Sequence, residues 1–195
     1  MLSVVIATDE SERALVPTLA ALVAGAAAGA VREVIIADAG SHDQTAAVAD
    51  VAGCEMMVSP GPLGDRLRRA AQAARAPWLM FLRPGVVPDA GWVDEVMRFV
   101  AEAGAAAPAA VFRPAQAGTG SVLAETLGLL KLALGGRARP DQGLIIAKQT
   151  YQALGGHRAD VAEPEADLLR RIGRRRIVLL RTGAVALAWG NRATR

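Results

Sequence analysis

The residues able to do chemistry in this chain are acids that sit where short apolar runs end. Asp38 closes the run EVIIA and is followed by Ala-Gly-Ser. A carboxylate there can accept a hydrogen bond from a base N–H or a ribose hydroxyl, and Gly40 lets a ring approach the backbone. A second use is equally open to Asp38, as a loop acid beside the helix that begins near Ser41. Thr8-Asp9-Glu10 follow the run SVVIA, residues 60–66 follow a third run, and Arg83-Pro84-Gly85 follow WLMFL. Other familiar chemistries are missing from the sequence. It has no GxxxxGK[ST] phosphate loop and no G-x-G-x-x-G after its first apolar run. No G-x-S-x-G nucleophile elbow occurs. Two histidines and one cysteine leave no zinc-type spacing.

The elements that must position these acids are read from hydrophobic periodicity. Buried strands are expected over 3–7, 33–37, 55–58 and 78–82, with helices over 14–28, 63–74 and 91–103. A further helix is expected to run to about Ala52 from Ser41, which with Gln44 has capping-box spacing. Strands alternating with helices imply an α/β fold, a mostly parallel sheet with helices on both faces. Ligands on such sheets bind beyond the carboxyl ends of the strands, which is where the acids lie.

The second half is less regular. Residues 105–110 are low-complexity Ala/Pro and 114–120 read as a loop. Residues 121–134 form an apolar helical stretch, with Leu123, Leu127, Leu130 and Leu134 on one stripe. A strand is expected over 143–147, a short helix over 149–154 closed by Gly155-Gly156, and a helix over 164–172 with acids first and arginines last. Late strands are expected over 176–180 and 184–189.

Composition sets the outer bounds. A chain of 195 residues fits one domain, and 52% apolar residues with mean hydropathy +0.28 exclude disorder over most of it. Aromatics at 4% argue against a module built on exposed rings. Net charge is +3, yet residues 168–195 hold eight arginines and no acid. That end reads as a solvated basic face, and no nucleic-acid partner is expected. Residues 14–31 carry no charge, but Leu15, Leu19, Leu22 and Val23 group on one side, which reads as a one-sided buried helix instead of a membrane span. Asp9, Glu10 and Glu12 interrupt the N-terminal region, against a signal peptide. With Cys54 alone, a reducing, cytoplasmic setting is expected. The stripe in 121–134 is read as core, as a homodimer face, or as a peripheral contact with the inner membrane surface.

The order of the pieces carries a resemblance. Ser3-Val-Val-Ile-Ala-Thr-Asp-Glu10 followed by Val34-Ile-Ile-Ala-Asp-Ala-Gly-Ser-His-Asp-Gln-Thr45 resembles the SVIIPxxNE and VIVVDxGSxDxT segments that open family 2 glycosyltransferases. Phe81-Leu-Arg-Pro-Gly-Val-Val-Pro88 stands where the family carries FLHADxxxP. Pro140-Asp-Gln-Gly-Leu-Ile-Ile-Ala147 with Tyr151-Gln-Ala-Leu-Gly-Gly156 looks like GDQGxFxxxxxFxxLGGF, and Glu163-Pro-Glu-Ala-Asp-Leu-Leu-Arg-Arg171 looks like MEDxELxxRL. The likeness runs from residue 3 to about 182 and is strongest to the small, soluble bacterial branch without membrane segments.

The resemblance implies a single GT-A domain, with residues 1–104 as the nucleotide-sugar half and 105–195 as the acceptor half. It implies transfer, usually with inversion, from a nucleoside diphosphate sugar to an acceptor that can be lipid-linked. Thr8, Asp9, Glu10, Asp38 and Gly40 would line the nucleoside pocket, with Asp43 as the second acid of that segment. Arg66 would approach the diphosphate. Asp141 and Gln142 would meet the sugar or acceptor. Glu165 falls at the catalytic acid position, normally Asp, where a carboxylate takes the acceptor hydroxyl's proton. Asp167 on the same stretch is the alternative base.

One motif departs from the family. Arg83-Pro84-Gly85 replace the acidic segment that binds a divalent cation. Metal is therefore doubtful, and two readings compete: Arg83 supplies the cationic charge, or the chain is an inactive relative that binds a nucleotide sugar or acts as a scaffold.

Overall fold

Alternation along the strands divides their side chains between two cores. In β1 (Leu2–Thr8), Val4 and Ile6 face one side and Val5 the other, and all three are fully buried. The computed structural model describes residues 1–103, 109–115 and 138–187. After β1 come α1 (Glu12–Ala27), β2 (Val31–Asp38), α2 (Thr45–Val51), β3 (Glu55–Val58), α3 (Leu63–Ala73), β4 (Trp78–Leu82), β5 (Val86–Pro88) and α4 (Trp92–Glu102). Then follow β6 (Ala109–Ala115), a 3-10 turn at Pro140–Gln142, β7 (Leu144–Ala147), α5 (Lys148–Ala153), α6 (Pro164–Ile172) and β8 (Ile177–Ala186).

The strands form one sheet of order β3-β2-β1-β4-β7-β6-β8-β5. The β3-β2-β1-β4 portion is parallel throughout. β7 runs antiparallel to β4 and β6, β6 is parallel to β8, and β5 is antiparallel to β8. Leu15, Leu19 and Leu22 of α1 pack with Val96 and Phe99 of α4 on one face. Leu67 of α3 packs with Tyr151 of α5 and Leu168 of α6 on the other. Helices thus cover both faces, as expected. The strand order reverses between β1 and β4, and ligands of open α/β sheets bind at such a switch point.

Several expectations need correction. β5 is three residues long and has no periodicity to read; its partner β8 defines it through pairs such as Val86 with Ala186. β6 lies in the expected Ala/Pro stretch and loop. Its Ala109, Ala110, Val111 and Phe112 are buried between β7 and β8, so tertiary packing overrides weak strand propensity. The two late strands are one strand, β8, with an irregular register against β6 between Val111 and Arg113. Ser41 caps no helix: α2 starts at Thr45 behind Gln44, without a side-chain cap. Val23 stands 64% exposed, off the buried stripe of α1. The apolar stretch 121–134, and with it the dimer or membrane-surface expectation, lies outside the described residues, as do residues 188–195 of the basic end. Among the described residues no helix is long and apolar enough to cross a membrane.

Candidate functional site

The carboxyl ends of β1, β2 and β4 bring Thr8, Asp38 and Arg83 to one edge of the sheet. The loops after β1 and β2 are stitched together there. Asp38 is 1% exposed. Its Oδ1 accepts from the Thr8 hydroxyl at 2.6 Å and the Ser41 hydroxyl at 2.6 Å. Its Oδ2 accepts from the N–H groups of Gly40 at 2.8 Å and Ser41 at 2.7 Å. Burial works against the charge, but the Ser41 and Thr8 donors outweigh it and hold the carboxyl below its ordinary pKa. A carboxylate offers about four lone-pair sites, and all are filled from within the fold. The expected bond from a base or ribose to Asp38 therefore finds no free lone pair. Asp38 shapes the loop instead. Gly40 has φ 104 and open space where a Cβ would project.

Glu10 and Asp43 also tie these loops together. Glu10 takes φ 47, a left-handed conformation costly for a side chain with a Cβ. Its carboxylate accepts from the N–H groups of His42 at 2.8 Å and Asp43 at 3.1 Å, and its own N–H donates to Ser41 Oγ at 2.9 Å. Asp43 accepts from the N–H groups of Glu12 at 3.0 Å and Thr45 at 2.9 Å, the first residues of α1 and α2. Burial raises its pKa and these bonds lower it further, so it too stays ionised. Each carboxylate thus holds two backbone N–H groups and keeps further lone pairs open. Asp9 is exposed, and among the described residues its carboxylate has no partner.

Arg66, on α3, reaches the strand ends. Its Nη1 donates to the carbonyls of Thr8 and Ala37, each at 2.8 Å, while its buried Nε has no partner among the described residues. Arg83, directly after β4, donates through Nε to Glu165 Oε2 at 2.8 Å, and its Nη2 bonds the same oxygen. Glu165 stands in the first turn of α6. Burial lowers the pKa of Arg83, but Glu165, with Asp141 and Glu163 around it, raises the guanidinium above its ordinary value.

Gln142 is 2% exposed. Its amide N–H donates to the Phe112 carbonyl at 2.9 Å, and its oxygen accepts from the Arg139 N–H at 2.7 Å. It closes the 3-10 turn from a buried position. Asp141 pairs with Arg139 at 2.6 Å through Oδ2, while its buried Oδ1 has no partner among the described residues. Asp167 is 8% exposed and surrounded by Arg171 at 2.8 Å, Arg170 at 3.8 Å and Arg158 at 4.0 Å. The Arg171 bond chiefly pulls its pKa down. A carboxylate so held is a poor proton acceptor. Sequence reasoning missed Arg139 and Glu163. Glu163 belongs to the quoted helix motif, and Arg139 directly precedes the Pro-Asp-Gln motif, so both were within reach.

The residues present do not fit a divalent cation beside Arg83. Gly85 carries no carboxylate, takes φ 86, and has its N–H engaged by the Ala14 carbonyl at 2.8 Å and Thr18 Oγ1 at 2.9 Å. Among the described residues no three His, Cys, Asp or Glu side chains come together as a metal-holding group. A groove of about 610 Å³ lies elsewhere, between α1 and α2, lined by residues such as Val16, Leu19, Val23 and Val51. It is apolar and holds none of these charged groups.

No protein-family model matches the chain, and no curated protein does. Solved structures do match its shape. The mannosyltransferase PcManGT from Pyrobaculum calidifontis, in complex with GDP-Man and Mn2+, superposes with TM-score 0.73 at 13% identity, over 98% of this chain and 58% of that one. S. aureus TarS 1-349 superposes with TM-score 0.70 at 16% identity, over 95% of this chain and 60% of that one. Glucosyl-3-phosphoglycerate synthase from Mycobacterium tuberculosis, in complex with phosphoglyceric acid, gives 0.68 at 21% identity, over 98% of this chain and 72% of that one. The chain thus spans about three fifths of the TarS structure and of the mannosyltransferase. Identities this low speak to shape, and the shape is the GT-A fold of glycosyltransferases.

Proposed function

We propose that this chain is a family 2-like glycosyltransferase that moves a sugar from a nucleoside diphosphate donor to an acceptor hydroxyl, without a divalent cation. Residues 1–104 serve the donor and 105–195 the acceptor. The donor lies over the ends of β1, β2 and β4, against Thr8, the open side of Gly40, Asp9 and Arg66. Arg83 faces its diphosphate. Glu165 takes the proton of the acceptor hydroxyl as that oxygen bonds the anomeric carbon. The bond from that carbon to the diphosphate oxygen breaks, the nucleoside diphosphate leaves with the electron pair, and the configuration inverts.

The observation that carries this reading is the meeting of Arg83 and Glu165 at the sheet edge where GT-A folds keep their chemistry. A cation for the leaving group and a base for the nucleophile are the two charges an inverting transfer requires. The similar structures support the donor class, since they include a mannosyltransferase in complex with GDP-Man and a TarS in complex with UDP.

The test is a panel of UDP-, GDP-, CDP- and dTDP-sugars with and without manganese, read by binding and by release of the nucleoside diphosphate. Turnover of one donor at the same rate with and without metal is expected. A second reading, a relative that binds the donor without transferring it, rests on Glu165 being held by Arg83. Binding without turnover in any metal condition would establish that reading and overturn the first.

A further inference from the structure

We propose that Arg83 and Glu165 are an exchange pair: a diphosphate arriving beyond β4 takes the guanidinium from Glu165, and the carboxylate so released becomes the proton acceptor. The inference rests on the transferase reading and adds an order of events to it.

The geometry makes the two roles incompatible while the pair is closed. Arg83 donates through both Nε and Nη2 to the single oxygen Oε2 of Glu165. That edge of the guanidinium is the one a phosphate would engage through two parallel bonds. The carboxylate oxygen Oε2 is meanwhile taken by both guanidinium donors, which stand where an acceptor hydroxyl would meet it. Arg83 cannot grip a diphosphate with this edge, nor Glu165 Oε2 meet an acceptor hydroxyl, until they separate.

The surroundings favour separation when an anion arrives. Glu165 has 14% of its side chain exposed and is fixed at the start of α6, whereas Arg83 has 48% exposed and can turn without unpacking the core. Glu163 and Asp141 also face Arg83, and Arg139 is paired to Asp141. The five groups carry three negative charges and two positive ones. Moving Arg83 onto a diphosphate leaves Glu165 beside two carboxylates and one remaining guanidinium. No proton is held and no bond is made in the exchange itself, so it needs no co-reactant.

The experiment uses inorganic pyrophosphate as the probe and calorimetry on the full chain, comparing the unsubstituted protein with Glu165→Gln and Arg83→Gln. The pair is partly exposed, so the competition it exerts is modest. Glu165→Gln is expected to bind pyrophosphate about three- to tenfold more tightly than the unsubstituted protein, because the competitor is gone. Arg83→Gln is expected to bind it at least about tenfold more weakly. Unchanged thermal midpoints show that both variants fold. In the unsubstituted protein, the carboxyl carbon signal of Glu165 is expected to shift when pyrophosphate is added, because the guanidinium leaves it. Equal affinities for the unsubstituted protein and Glu165→Gln overturn the exchange, as does a Glu165 carboxyl signal that pyrophosphate leaves unmoved. If a nucleotide sugar is still turned over in that case, the transferase reading stands alone. If none of the three proteins binds pyrophosphate, the exchange falls, and the donor panel decides separately whether the transferase reading falls with it.

Discussion

Arg83 and Glu165 lie 82 residues apart in the chain, yet the Arg83 Nε sits 2.8 Å from Glu165 Oε2 at the carboxyl edge of the sheet. β4 delivers the first and the start of α6 the second, so the contact joins the two halves of the fold. In the proposed reaction the two groups do different work, and their substitutions should show it. Glu165→Gln keeps the shape and removes the base. It is expected to lower kcat by roughly 10²–10⁴-fold with little change in donor KM. Arg83→Gln removes the charge that faces the leaving group and should lower kcat by roughly 10²–10³-fold. Arg83→Lys keeps the charge but loses the two-pronged edge, and should fall between Arg83→Gln and the unsubstituted enzyme. Nucleoside diphosphate release across donor concentrations measures all three.

Asp38 is a structural acid, and its removal should be read as stability before activity. Asp38→Asn puts an NH2 group where Oδ1 or Oδ2 now accepts, so two donors face each other in a site 1% exposed. The expected cost is about 2–4 kcal/mol in urea unfolding. The folded pKa of Asp38 is depressed, so its contribution is full above the unfolded value of about 4 and is lost as pH falls through the folded value. The acid limb of the stability curve below about pH 4 should therefore be shallower in Asp38→Asn. An unchanged limb would mean that the four bonds to Asp38 contribute nothing to folding.

How far the sequence reached is clearest at two strands and one acid. Runs such as WLMFL are legible because β4 is buried on both faces and needs no alternation. β6 was illegible because Ala and Pro carry no strand signal, and only its place between β7 and β8 makes it one. The position of Asp38 at a strand end was legible, but its occupation was not. Whether a carboxylate has a free lone pair depends on where the hydroxyls of Thr8 and Ser41 point, and no spacing rule contains that. Arg83 and Glu165 were each singled out from motif position alone, and their pairing needed the fold.

His157 gives the molecule a pH dependence at milder acidity than any carboxylate. It is 1% exposed, with Nδ1 2.9 Å from the Tyr151 hydroxyl and Phe81 edge-on. Burial, helped by Arg171 and opposed by Asp167, pushes its pKa down to about 3. An unfolded histidine titrates near 6.5. Between these values the unfolded chain binds a proton that the native chain refuses, so stability is full above about pH 6.5 and declines as pH falls. From pH 8 to pH 5 the loss should be about 2 kcal/mol, before ordinary carboxylates contribute. His157→Phe should be less stable at pH 8, since the Tyr151 hydroxyl loses its ring partner and keeps only the backbone N–H at 3.1 Å, but should lose little more on going to pH 5. Urea midpoints at the two pH values check this, and parallel losses in both proteins would remove His157 as the cause.

The two halves also meet at a glycine, where the outcome is set by steric contact alone. Gly64 is the second residue of α3, two before Arg66, and a Cβ built on it falls 1.9 Å from the carbonyl oxygen of Arg158. That oxygen belongs to the backbone between His157 and α6, so it cannot swing aside as a side chain would. Gly64→Ala must push the start of α3 away from this segment, at about 1–3 kcal/mol or more. Gly61, three residues earlier, meets only Ser59 Oγ at 3.5 Å and Asp65 Oδ2 at 3.6 Å, and serves as the matched control. Gly61→Ala should change thermal stability little. The displacement in Gly64→Ala should also be felt at the sheet edge, because Arg66 is carried on the same helical turn and holds the carbonyls of Thr8 and Ala37. A raised donor KM in Gly64→Ala at a temperature where it is still folded, with Gly61→Ala unchanged, is the expected pattern. Equal behaviour of the two variants would show that the contact between the halves does not position Arg66.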